Sequence, residues 1–517
     1  MLSDAAYQDL EIALGAENVS REPVVLDSYC WQTLLNGGPD MWRPRPVAVT
    51  LPASTEDVQA VVRICTAHAL KCKAFSTGWG AHGSVGKEDV ILLDLRRMNR
   101  ILEIDEKNMY AVIEPYVIGG VLQAEVMKMG LNAHLIGAGP GHSPLASATS
   151  MQGMGWDSIY MSTSFRNLLG VEWVLPSGEI LRLGTLGSGS GWFCADGPGP
   201  SLRSILRGLI GTCGGFGVFT KCAVKLFHWP GPSKPGGRGT PLNAPLKGLE
   251  DNFGVYMCAF PNQEKYVDAN YALGEAEIGY LHHKTSLPTM LALLAPRLLR
   301  KLAGKPALQA HIGVLKHQFL VVLAGDTKPE MDCQRKTLAA IVADHDGLMI
   351  DFAALPSLWS MFFWNMICST TTPLAFRATG SFLVHECGDE SFASQALAGR
   401  LREPDAAALA AAGVILDLFN DSLWAPVYEN NNRAHSESLI IFDHRRPGVM
   451  EAIGKLNEET VGLMLSNFLN PGLLAIEPAV RKAFSAVACG YNEYQKRILA
   501  ALDPAGVSDS TFYTDEA

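Results

Sequence analysis

The chain has 517 residues and a formal net charge of −10 at neutral pH, with 48% hydrophobic and 18% charged residues. This is the composition of a folded globular protein, and its length suits two or three domains because single cores stop growing at roughly 250 to 300 residues. The acidic balance, with no Lys/Arg tract, argues against a nucleic-acid partner.

The first 41 residues are predicted to form a helical segment ahead of the first domain. They begin MLSDAAYQDLEIALG, which is acidic where a signal peptide would be basic and lacks a long apolar core. The whole chain contains no run of about 18 apolar residues. The sequence therefore favours a cytoplasmic protein. Its eleven cysteines form no C-x-x-C pair and no cluster at metal spacing, so we expect reduced core thiols and no metal site.

Residues 42–95 have the pattern of an α/β unit. Short apolar runs at 47–51, 71–75 and 90–95 predict strands, and the pattern over 55–69 predicts a helix. Ser54, followed by two acidic residues, is typical of a helix start. The apolar face of this helix would carry Val58, Val61, Val62 and Cys65.

The loop between the second and third of these strands reads FSTGWGAHGSVG, residues 75–86, and holds four glycines and one histidine. Glycines leave backbone N–H groups unobstructed and permit positive φ, so such a loop can cradle a phosphate. It matches neither G-x-x-x-x-G-K-[ST] nor a G-x-G-x-x-G that opens a helix. By itself the pattern fits a tight packing loop equally well.

A second unit begins near residue 110. The sequence predicts a strand, a turn at Gly119-Gly120, an amphipathic helix ending at Gly130, and a long polar loop over 137–168. The sequence then predicts a β-hairpin with strands at 171–176 and 179–184. We assign 42–230 to one domain.

The rest of the chain is predicted to contain a second domain and a C-terminal segment. A proline- and glycine-rich stretch at 231–249 marks a linker, strand-like and helical runs alternate over 250–440, and helical patterns occupy 441–517. The predicted fold class is α+β. The stretch LPTMLALLAPRLLRKLAGKP, 287–306, suits either a surface helix or a basic amphipathic segment that docks on a membrane surface or a partner subunit.

Four stretches resemble, in the correct order, the FAD-binding domain of the vanillyl-alcohol oxidase and p-cresol methylhydroxylase superfamily, which includes glycolate-oxidase-like flavoprotein subunits. The first runs from PRPVAVTLPASTEDV through the glycine-rich loop to LLDLRRMNRILEID, and the others are EPYVIGGVLQAEVMKMGL, GVEWVLPSGEILRLG and GPGPSLRSILRGLIGTCGGFGVFTKCAVKLF. Together they cover about 42–230. Each pattern is weak singly, but four in sequence are specific.

The resemblance implies a two-part FAD-binding domain, a cap domain for substrate, and a C-terminal segment that returns to the FAD domain. It places the FAD pyrophosphate in the loop 75–86, a second cofactor loop within 141–156, and further contacts near 214–218. The residues it assigns to FAD are Ser76, Thr77, Gly78, Trp79, Gly80, Ala81, His82, Gly83, Ser150, Gly153, Gly155, Gly214, Gly217 and Val218.

His82 stands where some relatives bond a histidine covalently to the flavin. The residues around it match that pattern imperfectly, and a loop histidine that contacts phosphate or water fits as well. We expect FAD to be held non-covalently.

Relatives that oxidise phenols place a carboxylate just ahead of the second cofactor loop and a tyrosine near position 156. Here residues 137–142 offer only His142, and the aromatic residue is Trp156. An indole N–H donates a hydrogen bond but cannot act as a base. The sequence therefore favours an alcohol or hydroxy acid over a para-substituted phenol.

The cap would supply further polar groups to the pocket, since proton removal needs a base beside the flavin. The candidate catalytic residues are His142, Trp156, Arg377, His385, Arg433 and His435, and the cap also holds the pair His282-His283. HECGDESF, 385–392, fits a substrate or metal site, or a strand end and turn. Residues 430–433 fit a polar pocket wall or an ordinary turn, and SLWSMFFWNMIC, 357–368, fits hydrophobic core or an apolar pocket.

These features predict an FAD-dependent oxidoreductase that removes a hydride from an alcohol, hydroxy acid or related C–H donor. The expected partners are a small-molecule substrate with an apolar or aromatic portion and an electron acceptor, which would be a quinone, a cytochrome, oxygen or a partner subunit. We also expect a homo- or hetero-oligomer. Two alternatives remain open: a flavin-bearing electron-relay or structural subunit of a larger redox complex, and a reductase that uses the same fold in reverse.

Overall fold

A computed structural model of the chain describes residues 2–30, 42–78, 83–151, 153–184, 211–234, 236, 246, 248–285, 315–370, 381–416, 423–425, 427–428 and 433–514. The strands are β1 Val19–Ser20, β2 Ala48–Thr50, β3 Lys71–Phe75, β4 Val90–Asp94, β5 Ile101–Asp105, β6 Tyr110–Ile113, β7 Leu131–Asn132, β8 Leu168–Val174, β9 Ile180–Leu183, β10 Val218–Lys225, β11 Phe227–His228, β12 Phe253–Phe260, β13 Leu281–Thr285, β14 His317–Ala324, β15 Leu348–Asp351, β16 Ser381–Glu390, β17 Leu423–Ala425, β18 Val427–Tyr428 and β19 Arg433–Phe442. The α-helices are Asp4–Leu14, Pro23–Asp27, Thr55–Ala67, Gly119–Met127, Pro144–Thr149, Ser158–Met161, Gln263–Glu275, Lys328–Asp344, Pro356–Ile367, Phe392–Ala411, Val449–Ser466, Pro478–Ser485 and Tyr491–Leu502.

The first sheet has four strands in the order β1-β2-β4-β3, with β2 and β3 parallel to β4. The helix Thr55–Ala67 connects β2 to β3, and its first turn is capped because the Ser54 hydroxyl accepts a hydrogen bond from the backbone N–H of Asp57 at 3.0 Å. The predicted apolar face of this helix is buried against the sheet. The glycine-rich loop leaves this sheet after β3 and returns to it at β4.

The second sheet has five antiparallel strands in the order β5-β6-β10-β8-β9. It contains the predicted hairpin as β8 and β9, which turn at Gly178 with φ +80°. One expectation for this region is wrong: Gly119 and Gly120 are the first residues of the helix Gly119–Met127, not a turn before it. A Cβ on Gly119 would lie 2.3 Å from the His142 ring, so close packing accounts for this glycine.

The segment 137–168, expected to be a polar loop, is largely buried and contains the short helices Pro144–Thr149 and Ser158–Met161. Ser143 caps the first of these helices by accepting from the backbone N–H of Ala146 at 3.1 Å. The serines and threonines of the segment therefore form buried hydrogen bonds and helix caps. For this reason the segment is rich in polar residues although it is buried.

The third sheet is antiparallel and follows the order β15-β12-β14-β13-β17-β19-β16, with β18 added beside β19. Its two faces belong to different cores because neighbouring side chains on a strand point to opposite sides. Val255 and Leu320 pack in the core that includes Trp156, whereas Tyr256 and Val321 pack with the helices Gln263–Glu275 and Lys328–Asp344. One face of this sheet thus rests on the first half of the chain.

β16 ends at Glu390, and residues 386–390 pair with β19, whereas the register shift between Val384 and Glu386 leaves His385 without a register partner. Of the interpretations of HECGDESF, a strand end therefore fits, and it lies near the end of the stretch because the ladder with β19 keeps the preceding residues extended. The next helix begins only at Phe392. Within the described residues, no helix has the length and apolar character needed to cross a membrane.

Candidate active site

The described part of the glycine-rich loop is shaped around the Phe75 ring. Gly78 has φ +72°, and a Cβ there would lie 2.6 Å from that ring, so both the backbone conformation and the space require glycine. A Cβ on Gly83, where the described chain resumes, would also lie 3.2 Å from the ring. Ser76 donates its hydroxyl to the carbonyl oxygen of Pro115 at 2.5 Å. Thr77 lies between these two contacts, and Trp79, Gly80, Ala81 and His82 fall outside the described residues.

In the second predicted cofactor loop, the backbone at two glycines lies so close to neighbouring protein atoms that no larger residue would fit. A Cβ on Gly153 would lie 2.2 Å from the Ser164 hydroxyl oxygen, and one on Gly155 would lie 1.9 Å from the carbonyl oxygen of Leu135. Asp157 anchors the loop, because its carboxylate accepts from the Leu135 N–H at 2.8 Å and contacts His134 Nδ1 at 2.6 Å. These two glycines therefore allow the loop backbone to lie directly against other parts of the protein.

Residues 211–218, which we call the closing segment, also contain two glycines that lie against neighbouring protein atoms. Gly214, at φ +70°, would place a Cβ 2.6 Å from the carbonyl oxygen of Ala74, and Gly217, at φ +64°, would place one 2.5 Å from the Trp173 indole nitrogen. Val218 begins β10 and is buried in the core of the first sheet. The predicted cofactor residue Ser150 lies beside this segment, with its hydroxyl 3.3 Å from that of Thr212. The closing segment thus contacts both β3, which leads into the glycine-rich loop, and Ser150 beside the second predicted cofactor loop.

Several buried polar atoms near these segments have no hydrogen-bond partner among the described residues. They are Arg43 Nε, Lys73 Nζ, His142 Nε2, Trp156 Nε1 and both ring nitrogens of His283. Burial lowers the pKa of Lys73, whose ammonium lies 4.4 Å from the Phe512 ring centroid. Buried polar groups are normally paired, so this concentration of unpaired donors fits a region built to hold a polar ligand.

His283 on β13 stacks on Trp156 of the second cofactor loop. The ring centroids are 3.9 Å apart and the planes differ by 9°. The backbone on either side is joined as well, because the His282 N–H donates to the Trp156 carbonyl oxygen at 2.7 Å. The contacts of His283 and His282 with Trp156 therefore connect the third sheet directly to the second predicted cofactor loop, 141–156.

The stack continues along the third sheet through Trp424 and His435. Trp424 lies edge-on to His283 at 5.6 Å and to His435 at 5.7 Å, and a Cβ on Gly137 would lie 2.3 Å from the Trp424 ring. The buried His435 has Nε2 2.9 Å from Glu437 Oε1. We call Trp156, His283, Trp424 and His435 the aromatic stack.

Burial controls the protonation of the histidines at this site. It lowers the pKa of His142 to about 4 and holds the pKa of His283 well below its ordinary value, since a charged imidazole would lose its hydration there. His142 Nδ1 lies 2.9 Å from the Gly139 carbonyl oxygen, which leaves Nε2 unpaired within the described residues. Both imidazoles are therefore neutral at physiological pH.

The structure brings two of the predicted catalytic residues, Trp156 and His435, into the aromatic stack, and it places His142 against the helix that begins at Gly119. Arg377, residues 287–306 and residues 430–432 lie outside the described residues. For His385 on β16 and Arg433 on β19 only the backbone is described. Trp424 and Glu437 were not predicted, since an isolated tryptophan and a strand glutamate carry no motif.

The aromatic-rich segment 357–368 forms most of the helix Pro356–Ile367. Trp359 and Phe363 stack at 5.1 Å and are buried in the same core as Trp156 and Trp424. Of the two interpretations of this segment, hydrophobic core therefore fits its buried positions, and the core backs directly onto the aromatic stack.

Residues 46–184 match the family model described as an FAD binding domain. The flavoprotein subunit of 4-cresol dehydrogenase [hydroxylating] from Pseudomonas putida is 30% identical over 199 residues, which is 37% of this chain and 36% of that protein. Glycolate oxidase subunit GlcD of Bacillus subtilis is 28% identical over 203 residues, covering 37% and 39%. The chain thus spans less than half the length of these curated relatives.

The whole fold matches that of p-cresol methylhydroxylase in its substrate-bound crystal structure. The TM-score is 0.75 at 16% identity, and the match covers 99% of this chain and 96% of that one. The fold match confirms the α+β fold class, and the family match over 46–184 makes the chain an FAD-binding flavoprotein, which confirms the predicted cofactor. More particularly, it has the p-cresol methylhydroxylase fold and is related to FAD-linked oxidases and dehydrogenases, as the sequence resemblance implied.

The residues present fit an FAD. Position 78 requires glycine, the buried Lys73 Nζ on β3 has no hydrogen-bond partner among the described residues, and the matched domain includes both features. The glycine-rich loop and its neighbours would hold the diphosphate, and the aromatic stack lies at the junction with the third sheet.

Proposed function

We propose that the chain is an FAD-dependent oxidoreductase that oxidises an alcohol or hydroxy acid, with His283 as the base that takes the substrate's hydroxyl proton. The observation that carries this proposal is the neutral, unpaired imidazole of His283, stacked on Trp156 where the third sheet meets the FAD-binding half. The domain division at 231–249 and the role of 250–440 as a cap form part of the same proposal.

Oxidation of a C–OH group removes a hydride from carbon and a proton from oxygen. Bound FAD supplies the acceptor for the hydride. His283 can accept the proton because burial keeps its pKa well below the ordinary value and therefore leaves a ring nitrogen with a free lone pair. The products are a carbonyl compound, reduced cofactor and a protonated imidazole, so atoms and electrons balance.

The surroundings of His283 favour a substrate with an apolar or aromatic portion. Trp156 and Trp424 flank its ring, and the core behind them contains Met154 and Phe363. His283 itself is fully buried. The indole N–H of Trp156, unpaired within the described residues, is available to donate to a substrate oxygen.

We infer that the electrons leave the flavin for a quinone, a cytochrome, oxygen or a partner subunit. The 4-cresol dehydrogenase relative is named as a flavoprotein subunit, which supports a search for a partner chain. A homo- or hetero-oligomer, a contact through 287–306 and a cytoplasmic location belong to this proposal.

The test is an anaerobic half-reaction of the purified flavoprotein with a panel of hydroxy acids and primary alcohols. We expect at least one of them to bleach the flavin absorbance and to yield the matching carbonyl compound in equal amount. Reduction by a partner protein, with no small donor effective, would support an electron relay instead. Oxidation of pre-reduced flavin by a carbonyl compound, with the reverse reaction negligible, would support a reductase.

A further inference from the structure

The C-terminal residues 507–511 lie across the FAD-binding half and contact three separate stretches of it. The Val507 carbonyl oxygen accepts from the Cys72 N–H at 2.7 Å, which extends the edge of the first sheet at β3. The Ser508 hydroxyl accepts from the Gly217 N–H at 3.2 Å. The segment therefore joins β3 to the closing segment, although it lies almost 300 residues beyond the latter in the chain.

Asp509 extends this connection to the glycine-rich loop. Its carboxylate accepts from the Gly86 N–H at 2.7 Å and from the Thr511 hydroxyl at 2.7 Å, while its own N–H donates to the Cys72 carbonyl oxygen at 2.9 Å. The residue is fully buried. A Cβ on Gly86 would lie 2.4 Å from Thr511, so the end of the loop is packed directly on this segment. Asp509 thus joins the strand before the loop to the last residue of the loop.

A loop that wraps a phosphate binds best when its two ends are already held at the right separation, because less chain entropy is then lost on binding. Phe75 holds the start of the loop by its contacts with Gly78 and Gly83, and Asp509 holds the end. A carboxylate near a diphosphate would repel it, but the buried ammonium of Lys73 interacts electrostatically with Asp509 and offsets that charge.

We propose that Asp509 is a positioning residue for the cofactor: it holds the glycine-rich loop in its FAD-binding shape from the C-terminal segment. This inference rests on FAD binding alone and is independent of the reaction proposed for His283. It requires only that the Asp509 carboxylate remain bonded to the Gly86 N–H.

The test compares D509N with E172Q. Glu172 is also a buried carboxylate of the FAD-binding domain with both oxygens hydrogen-bonded, but its partners are elsewhere than the loop: Thr55, Thr220, Lys221 and Arg182. FAD affinity is measured by titrating folded apoprotein produced under riboflavin limitation, and the protection of the Gly86 amide is measured by hydrogen exchange. We expect D509N to weaken FAD binding about tenfold and to expose Gly86, and E172Q to leave both unchanged.

Unchanged FAD affinity in folded D509N would overturn the proposal, and so would an equal loss of affinity in E172Q. If D509N is not recovered folded, the pair G86A and G86A/T511G gives the second test. The added methyl group clashes with Thr511, so G86A should lose FAD and the removal of the Thr511 side chain should restore it. Failure of that rescue, with both variants folded, would also overturn the proposal. If the wild-type protein binds FAD normally but oxidises none of the panel donors, that result contradicts the reaction proposed for His283. It does not affect the role proposed for Asp509.

Discussion

The imidazole of His283 lies parallel to the indole of Trp156, with 3.9 Å between ring centroids. The two residues are 127 positions apart, with Trp156 in the turn before the helix Ser158–Met161 and His283 on β13, yet each has a buried ring nitrogen without a hydrogen-bond partner among the described residues. This pair joins the third sheet to the part of the chain that contains the FAD-binding domain, and the prediction for catalysis depends on it.

Replacement of His283 by Gln should slow reduction of the flavin by the best alcohol or hydroxy acid about 100-fold or more, because a general base contributes roughly 10² to 10⁴ in rate. Anaerobic stopped-flow reduction measures this directly. H282Q is the matched control, since His282 lies on the opposite face of β13 against Phe319. Equal rates in wild type and folded H283Q would exclude His283 as the base.

The free energy of unfolding should fall as the pH is lowered from about 7 towards 5. The pKa of His142 is about 4 and that of His282 about 3 in the folded protein, whereas the ordinary value is 6.5, so the unfolded chain binds more protons throughout this window. Each such histidine contributes a slope of about 1.4 kcal/mol per pH unit below pH 6.5. In denaturant unfolding at several pH values, the free energy of unfolding of H142Q should fall less steeply with decreasing pH than that of the wild type. The same pH dependence in both proteins would contradict the conclusion that His142 is buried in its neutral form.

Substitution of valine at Gly83 should yield largely flavin-free protein. The new side chain would press on the Phe75 ring and fill space that the loop backbone needs around a diphosphate. The ratio of flavin to protein absorbance in the purified protein measures the effect, and G80V should behave alike. G462A, in the helix Val449–Ser466, is a suitable control because a Cβ there meets nothing within 4 Å. Normal flavin content in both valine variants would refute the assignment of this loop.

FAD should be released when the protein is precipitated with acid, because the surroundings of His82 match the covalent pattern imperfectly. The measurement is the visible absorbance of the pellet and of the supernatant. Yellow colour that stays with the wild-type pellet but is lost from H82A would demonstrate a covalent bond.

Simple 4-alkylphenols should be poor electron donors. Residues 137–142 contain no carboxylate to stabilise a phenolate, and Trp156 can donate a hydrogen bond but cannot accept a proton. Stopped-flow reduction by 4-methylphenol, compared with the alcohol and hydroxy-acid panel, tests this. Rates for the phenol that match or exceed those of the panel would contradict the substrate class.

From the sequence alone, the fold class followed from local patterns, and the cofactor followed from the resemblance of four stretches, in order, to a known FAD-binding domain. Spaced glycines, the Ser54 cap with its apolar helix face, and the 171–184 hairpin are short-range signals whose physics is contained in a few neighbouring residues. Only the tertiary structure decided which distant side chains meet. His283 reaches Trp156, and Trp424 reaches Gly137, because the third sheet turns one face to the first half of the chain. Asp509 reaches Gly86 because the C-terminal segment pairs with β3. Such contacts leave no local periodicity, since they are fixed by how sheets pack and not by the residues beside them in the chain.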